Sequence, residues 1–208
     1  MTREELWNIV NRWKGTENRP DHVWSLWQWS GLMPENAQIV EVGGCALGSA
    51  VCLASQLRGN SRVISIEQAW LPQPPGEGPT ASDVYEVPLS EARQHAIDAK
   101  MQDRILLYPG TSISFLRANQ HLPENAFDLV YIDGAHTYDW VWEDCKILKH
   151  LKIGGIALFD DWIPDVTRAA LDYFKSTAPG WMQVHNQFHR AFQKVDFRYP
   201  GPGGILSS

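Results

Sequence analysis

Two hydrophobic periods alternate along this chain. Short apolar runs predict buried strands over residues 37–43, 61–67, 104–108, 127–133 and 154–160. Helical spacing predicts helices over residues 49–57, 112–120, 138–151 and 165–177. A further helix is predicted after the segment 71–80 and ends near Lys100. Two further strands are predicted near 182–186 and 190–196. Strands that alternate with helices predict an α/β fold: a Rossmann-like, mostly parallel, doubly wound sheet with helices on both faces and an antiparallel last strand.

Two helices are predicted before the first main strand. Thr2 followed by Glu5 has the pattern of a capping box and predicts a helix to about Lys14. A second helix is predicted from Asp21 to Gly31. We expect no regular structure over 71–80, which reads LPQPPGEGPT. Because no repeat or long linker divides the chain, residues 1–208 are predicted to form a single domain, with 1–34 as a helical N-terminal cap.

Tryptophan is concentrated in that cap. Five of the ten tryptophans precede the first main strand: Trp7, Trp13, Trp24, Trp27 and Trp29. We interpret them as core between the two helices and the main domain. One alternative is that they form a cover over the substrate. The other is a subunit contact, since tryptophan is a common interface anchor, and the protein would then be a homo-oligomer through these helices.

Composition excludes several classes of function. The formal net charge is −6 and no basic cluster interrupts it, so a nucleic-acid partner is not expected. The 3 cysteines lack CxxC spacing, which argues against a disulfide scaffold or a zinc site and fits a reducing, cytoplasmic compartment. The first residues, MTREELWNIV, do not form a signal peptide, and no apolar run reaches membrane-spanning length.

The stretch VEVGGCALGS follows the first main strand and predicts a ligand-binding turn. Its glycines, Gly43, Gly44 and Gly48, do not have the spacing of a dinucleotide fingerprint. Glu41 precedes them, and a carboxylate there would repel a pyrophosphate but attract an ammonium group. S-adenosylmethionine (SAM) carries such a group, and Glu67 at the end of the second strand is placed to accept its ribose hydroxyls. The alternative is that both acids are solvated at strand ends.

These residues lie in stretches that resemble the class I SAM-dependent methyltransferases, and most closely the small-molecule O-methyltransferases of the macrocin and catechol type. The other stretches are VISIEQAW, FDLVYIDGAHTYDWVWEDCKILKHLKIGGIALFDDW and, more loosely, HRAFQKV, so the resemblance covers residues 37–196. The chain has Gly110-Thr111-Ser112 where the family often has Gly-Asp-Ser, and Ile153-Gly154-Gly155 in place of Pro-Gly-Gly. The predicted SAM-binding residues are Glu41, Gly43, Gly44, Gly48, Ser49, Glu67, Ser112 and Asp133.

Three acids at strand ends predict a metal site. Asp133 ends the fourth main strand, and Asp160 and Asp161 end the fifth. Carboxylates that converge in one cleft repel each other unless a cation lies between them, and oxygen ligands suit Mg²⁺, Mn²⁺ or Ca²⁺. The resemblance implies the same, since the metal-dependent members have acidic or amide ligands at these places. The alternative is that Asp161 caps the following turn and Asp133 only borders the cofactor.

His136, in DGAHTY, is the candidate general base. It follows Asp133 by three residues, and related enzymes place a lysine or histidine base in this loop. The alternative is a surface histidine at a helix start. His185 and His189 are four residues apart, but the segment is predicted as strand and turn, so we do not expect them to share a metal.

The resemblance therefore implies O-methylation of a hydroxyl on a small molecule, with His136 and Asp133 as catalytic residues. Two other classes stay open at this point: a catalytically inactive SAM-binding or assembly module, and a nicotinamide-dependent oxidoreductase. The second would explain the glycine turn, but it gives no role to Glu41 or to the pair Asp160 and Asp161.

Overall fold

The computed structural model describes residues 1–13, 19–70, 87–177, 180–185 and 188–196. Within them, seven strands form one sheet in the order β3-β2-β1-β4-β5-β7-β6. β1 to β5 are parallel, and β7 is antiparallel to both β5 and β6. The predicted fold class and the antiparallel last strand are confirmed. The segment 71–80, predicted as a loop, lies outside the described residues.

The strands are β1 Gln38–Val42, β2 Arg62–Glu67, β3 Ile105–Pro109, β4 Phe127–Ile132, β5 Leu151–Phe159, β6 Gly180–His185 and β7 Arg190–Val195. The helices are α1 Arg3–Val10, α2 Pro20–Leu32, α3 Gly48–Ala54, α4 Leu89–Asp98, α5 Ser112–Ala118, α6 Tyr138–Cys145 and α7 Pro164–Ser176. Two 3-10 helices, Gln68–Trp70 and Lys146–His150, follow β2 and α6. No described helix has both the length and the apolar character needed to cross a bilayer.

The start of β5 is the main difference from the sequence prediction. A single helix is predicted over 138–151, but its last turn is a 3-10 helix, and β5 begins at Leu151. The ammonium of Lys194 donates to the carbonyl of Leu151 at 2.7 Å and to two carbonyls of that 3-10 helix. These contacts satisfy carbonyls that a regular helix end leaves without partners, so the tighter turn is stabilised from β7.

The sheet has a switch point at β1. The chain passes from β1 to β2 on one side, whereas β4 pairs with β1 on the other side. In such sheets, ligands bind beyond the carboxyl ends of the strands where the order reverses. Asp133 N–H donates to the carbonyl of Val42 (2.9 Å), and Asp160 N–H donates to the carbonyl of Ile132 (3.1 Å). The residues that follow β1, β4 and β5 are therefore level with one another at this edge.

Each face of the sheet has its own hydrophobic cluster. One cluster includes Leu6 and Val10 of α1 and Val23 and Leu26 of α2, and the other includes residues of α5, α6 and α7. The five N-terminal tryptophans are partly buried and pack against the first cluster. They therefore contribute to the core, as interpreted from the sequence, although none is fully enclosed. Whether this segment also covers a substrate stays a prediction.

Candidate active site

The turn after β1 is built by backbone geometry. Gly43 and Gly44 both donate their N–H groups to the carbonyl of Ile66, at 2.9 and 3.2 Å. Gly43 has φ +98°, and a Cβ atom there would lie 2.0 Å from the carbonyl oxygen of Asp133. Only glycine fits, because the turn contacts the backbone of the loop after β4. Gly48 begins α3.

Glu67 fixes the far side of this turn. One oxygen of its carboxylate accepts the N–H of Cys45 and the other accepts the N–H of Ala69, each at 2.8 Å. A carboxylate oxygen can accept a second hydrogen bond, so Glu67 still has acceptor capacity. Its predicted contact with a ribose stays a prediction, and its observed role is to hold the turn.

Glu41 lies beneath the turn and is 0% exposed. Ser65 of β2 donates its hydroxyl to one carboxylate oxygen, whereas the other oxygen, Oε1, has no hydrogen-bond partner. Burial raises the pKa of Glu41 to about 7, although the hydroxyls of Ser49 and Ser65 partly offset this shift. A nearby cation would stabilise the charged form of such a carboxyl, and this is the interaction predicted for the SAM ammonium.

Ser112 has a structural partner that the sequence analysis did not identify. Its buried hydroxyl donates to Asp144 of α6 at 2.5 Å. Burial raises the pKa of Asp144 to about 6, and the hydrogen bond from Ser112 opposes that shift. A Cβ atom at Gly134 would lie 2.9 Å from the same carboxylate. Asp144 therefore joins α5, α6 and the loop after β4, and the predicted cofactor role of Ser112 stays a prediction.

His136 lies between two of the three predicted metal ligands. Its Nε2 is 3.7 Å from Oδ1 of Asp133, and its Nδ1 is 3.6 Å from Oδ2 of Asp161. The nearby carboxylate of Asp133 is the main cause that raises the pKa of His136, while burial opposes this shift. The imidazole is 36% exposed. His136 therefore has two carboxyl neighbours and an open side, and it lies just before the start of α6; its role as a base stays a prediction.

Asp133 receives one well-formed hydrogen bond, from the hydroxyl of Tyr131 to Oδ2 at 3.0 Å. Burial raises the pKa of Asp133 well above its usual range, while His136 and Tyr131 oppose that shift. Asp161 has φ +36°, and Arg19 lies 3.8 Å from its carboxylate. The N-terminal segment thus reaches this rim through Arg19.

Asp160 and Asp161 are consecutive, but their carboxylates have different neighbours. Asp160 is 6% exposed and lies 3.2 Å from Nε2 of His189. Burial would raise the pKa of Asp160, but the nearby imidazoles of His189 and His22 outweigh it and lower the pKa to about 2. Among the described residues, the three predicted metal ligands do not form a set whose ligand atoms all lie within 4.8 Å of one another.

A different group does converge. One ligand atom from each of His22, Asp160 and His189 lies within 4.8 Å of the other two. His22 comes from α2, and His189 from the connection between β6 and β7, so no local spacing indicates the pair. His185 is not part of this group: it lies on β6, with its ring centroid 6.0 Å from that of Trp29.

Comparisons with known proteins identify the family and the fold. A family model described as a methyltransferase domain matches residues 40–162, which contain the turn, Glu67 and the three aspartates. No curated protein matches the chain.

Solved structures share the whole fold. The O-methyltransferase NovP is 17% identical with a TM-score of 0.64, covering 92% of this chain and 88% of its own. The O-methyltransferase from Bacillus cereus in complex with S-adenosylhomocysteine (SAH) is 16% identical with a TM-score of 0.60, covering 91% and 87%. The SAH-bound methyltransferase from Podospora anserina is 15% identical with a TM-score of 0.63, covering 93% and 88%. The family match and the shared fold together confirm the resemblance seen in the sequence: the chain belongs to the family of methyltransferase domains.

Proposed function

We propose that this protein is a SAM-dependent O-methyltransferase that acts on a hydroxyl group of a small molecule, with a divalent metal and a histidine base. One observation carries the proposal. The glycine turn held by Glu67 directly contacts the loop that presents Asp133 and His136, so a cofactor crevice and a basic group adjoin at one edge of the sheet. The names of NovP and the Bacillus cereus structure support oxygen as the acceptor atom.

The cofactor half of the site offers hydrogen-bond acceptors and negative charge that suit SAM. When bound, SAM supplies an electrophilic methyl group on a sulfonium cation. Glu67 has acceptor capacity for ribose hydroxyls, and Glu41 provides a buried carboxyl whose Oε1 has no partner. Glu41 is fully covered, so it acts on the ammonium by its charge and through the turn above it.

In the acceptor half, His136 removes the hydroxyl proton. A general base must lie within hydrogen-bonding reach of that proton, and His136 combines an exposed side with two carboxylates that orient its ring and stabilise the imidazolium. Asp133 is then both an orienting group for His136 and a border of the cofactor crevice.

The divalent metal is the finer part of the same proposal. A cation next to the acceptor would lower the pKa of the hydroxyl and hold the oxygen. Asp133, Asp160 and Asp161 are the ligands predicted from the sequence, and all three follow β4 or β5 at this edge. Mg²⁺ and Mn²⁺ suit that all-oxygen set.

A catalytically inactive SAM-binding module would need the turn and both glutamates but not an ordered histidine between two aspartates. A nicotinamide-dependent enzyme would give no role to Glu41, the buried acid beneath the turn. Calorimetric titration with SAM, SAH and NAD separates the classes of ligand, and binding of NAD alone would refute the proposal.

Methyl-labelled SAM and a panel of small hydroxyl compounds then test the reaction. We expect transfer to a hydroxyl, loss of turnover in a chelator, and recovery with Mg²⁺ or Mn²⁺. His136→Ala should lower the rate by about 10²–10⁴-fold with SAH affinity unchanged, which is the usual effect of losing a positioned base. His121→Ala, at an exposed histidine, is the control. Full activity in a chelator would remove the metal from the proposal, and full activity in His136→Ala would remove the base.

A further inference from the structure

The group formed by His22, Asp160 and His189 has features that an ordinary ion pair leaves unexplained. His189 is 0% exposed and Asp160 is 6% exposed. Nε2 of His189 and Oδ1 of Asp160 are 3.2 Å apart, yet neither has a hydrogen-bond partner, so the two atoms face each other without the alignment of a donor and an acceptor. Buried polar atoms without partners are costly, and a ligand is one explanation for them.

The surrounding contacts define which nitrogen atoms are available. Nδ1 of His189 is 2.7 Å from the hydroxyl of Ser25, which leaves Nε2 directed at Asp160. Nε2 of His22 is 3.1 Å from the hydroxyl of Tyr131, which itself donates to Asp133. Histidine ligands of metals commonly have such an oxygen partner on the other nitrogen, which fixes the ring and its tautomer.

We propose that His22, Asp160 and His189 form a binding site for one divalent transition-metal ion. Two imidazoles and one carboxylate suit Zn²⁺, Fe²⁺ or Co²⁺, whereas Mg²⁺ and Ca²⁺ prefer oxygen ligands only. Ligands about 2.1 Å from a tetrahedral or octahedral ion lie about 3.0–3.4 Å apart. The separation of 3.2 Å between His189 and Asp160 has that value, and the remaining ligand atoms lie within 4.8 Å.

The ion would connect three distant segments of the chain. His22 lies on α2, Asp160 follows β5, and His189 precedes β7. Such a site ties the N-terminal helices and the last strand to the sheet edge, beside Asp133 and His136. It shares only Asp160 with the three aspartates proposed for Mg²⁺ or Mn²⁺, so the two ligand sets predict different ions and different effects of substitution.

Zinc binding to the metal-stripped, tag-free protein tests the site without any measurement of activity. Calorimetry should find one Zn²⁺ per chain, Zn²⁺ should raise the melting temperature, and Co²⁺ should give visible absorption bands typical of nitrogen and oxygen ligands. Mg²⁺ should not compete at similar concentrations. His22→Gln and His189→Gln should weaken Zn²⁺ by more than about 100-fold, since loss of an outer partner alone costs about 10–100-fold. Ser25→Ala, which removes only such an outer partner, should weaken Zn²⁺ binding by about 10-fold.

Two variants serve as controls. His185→Gln changes a nearby histidine outside the group, and Asp161→Asn removes a ligand of the alternative three-aspartate site; both should keep Zn²⁺ affinity. His22 is only partly buried, so its variant tests the site even if His189→Gln does not fold. Failure of the native protein to bind Zn²⁺ would overturn the proposal. So would loss of Zn²⁺ in Asp161→Asn with binding kept in His22→Gln, which would assign the ion to the aspartates. Neither result depends on methyl transfer.

Discussion

The carboxylate of Glu67 and the backbone N–H of Cys45 form a 2.8 Å hydrogen bond that joins the end of β2 to the glycine turn after β1. Glu67 is therefore both a turn anchor and the proposed ribose acceptor. Glu67→Ala should weaken SAH binding by about 1–3 kcal/mol, the cost of losing hydrogen bonds to a charged group. Calorimetry measures this loss.

Glu67→Gln separates the two roles, because its side-chain oxygen can keep one backbone contact while the charge is lost. We expect an intermediate affinity for SAH. Glu143→Gln, at a surface acid paired with Lys146, is the matched control and should not change affinity. Unchanged SAH affinity in Glu67→Ala would refute the ribose assignment.

The buried carboxyl of Glu41 predicts opposite pH effects on stability and on binding. Its pKa is about 7 in the folded protein, against 4.5 as the ordinary value, so the folded state holds a proton that the unfolded state has lost between these two pH values. The free energy of unfolding should therefore fall as pH rises from about 4.5 to about 7, and this part of the pH dependence should disappear in Glu41→Gln. Denaturant unfolding of both proteins at several pH values measures it.

SAM affinity should change in the other direction. The ammonium of SAM favours the charged form of Glu41, so binding should tighten as pH rises through about 7. Methylthioadenosine, which keeps the adenosine but lacks the amino acid, should show no such change. An equal pH dependence for both ligands would contradict the role given to Glu41.

Ser112 offers a test between a structural and a cofactor role. Ser112→Ala leaves the buried carboxyl of Asp144 without its donor, so we expect a loss of about 1–3 kcal/mol in the free energy of unfolding. SAH affinity, measured under conditions where the variant is fully folded, should change little. A large loss of affinity without a loss of stability would instead support the cofactor role predicted from the sequence.

The N-terminal helices should be needed for folding. Leu6, Val10, Val23 and Leu26 are buried in the first cluster, so a fragment that lacks residues 1–30 exposes that cluster and should be insoluble or molten. Leu26→Ala should cost about 2–5 kcal/mol of stability, whereas Leu32→Ala, at a side chain 70% exposed, should cost little. A soluble fragment that unfolds cooperatively and binds SAH would show that the segment is only a cover.

The fold was predictable from local patterns, because the central strands are short apolar runs, and Glu67, Asp133 and Asp160 end or directly follow such runs. The side-chain partners were not. Asp160 and Asp161 follow the same strand, but the left-handed backbone at Asp161 separates their carboxylates, and no residue pattern indicates that turn. His22 lies near the beginning of the chain and His189 near its end. The pairing of β7 with β5 places His189 beside Asp160, and the packing of α2 brings His22 to the same place.

The contact between Gly43 and Asp133 has a mechanical consequence. Because a Cβ atom at Gly43 would lie 2.0 Å from the Asp133 carbonyl, the two backbones leave no gap between the crevice and the acceptor rim. We therefore expect a ligand that shifts the turn to press on the loop that bears His136. In the proposed site, cofactor binding and the alignment of His136 are therefore mechanically coupled through this backbone contact.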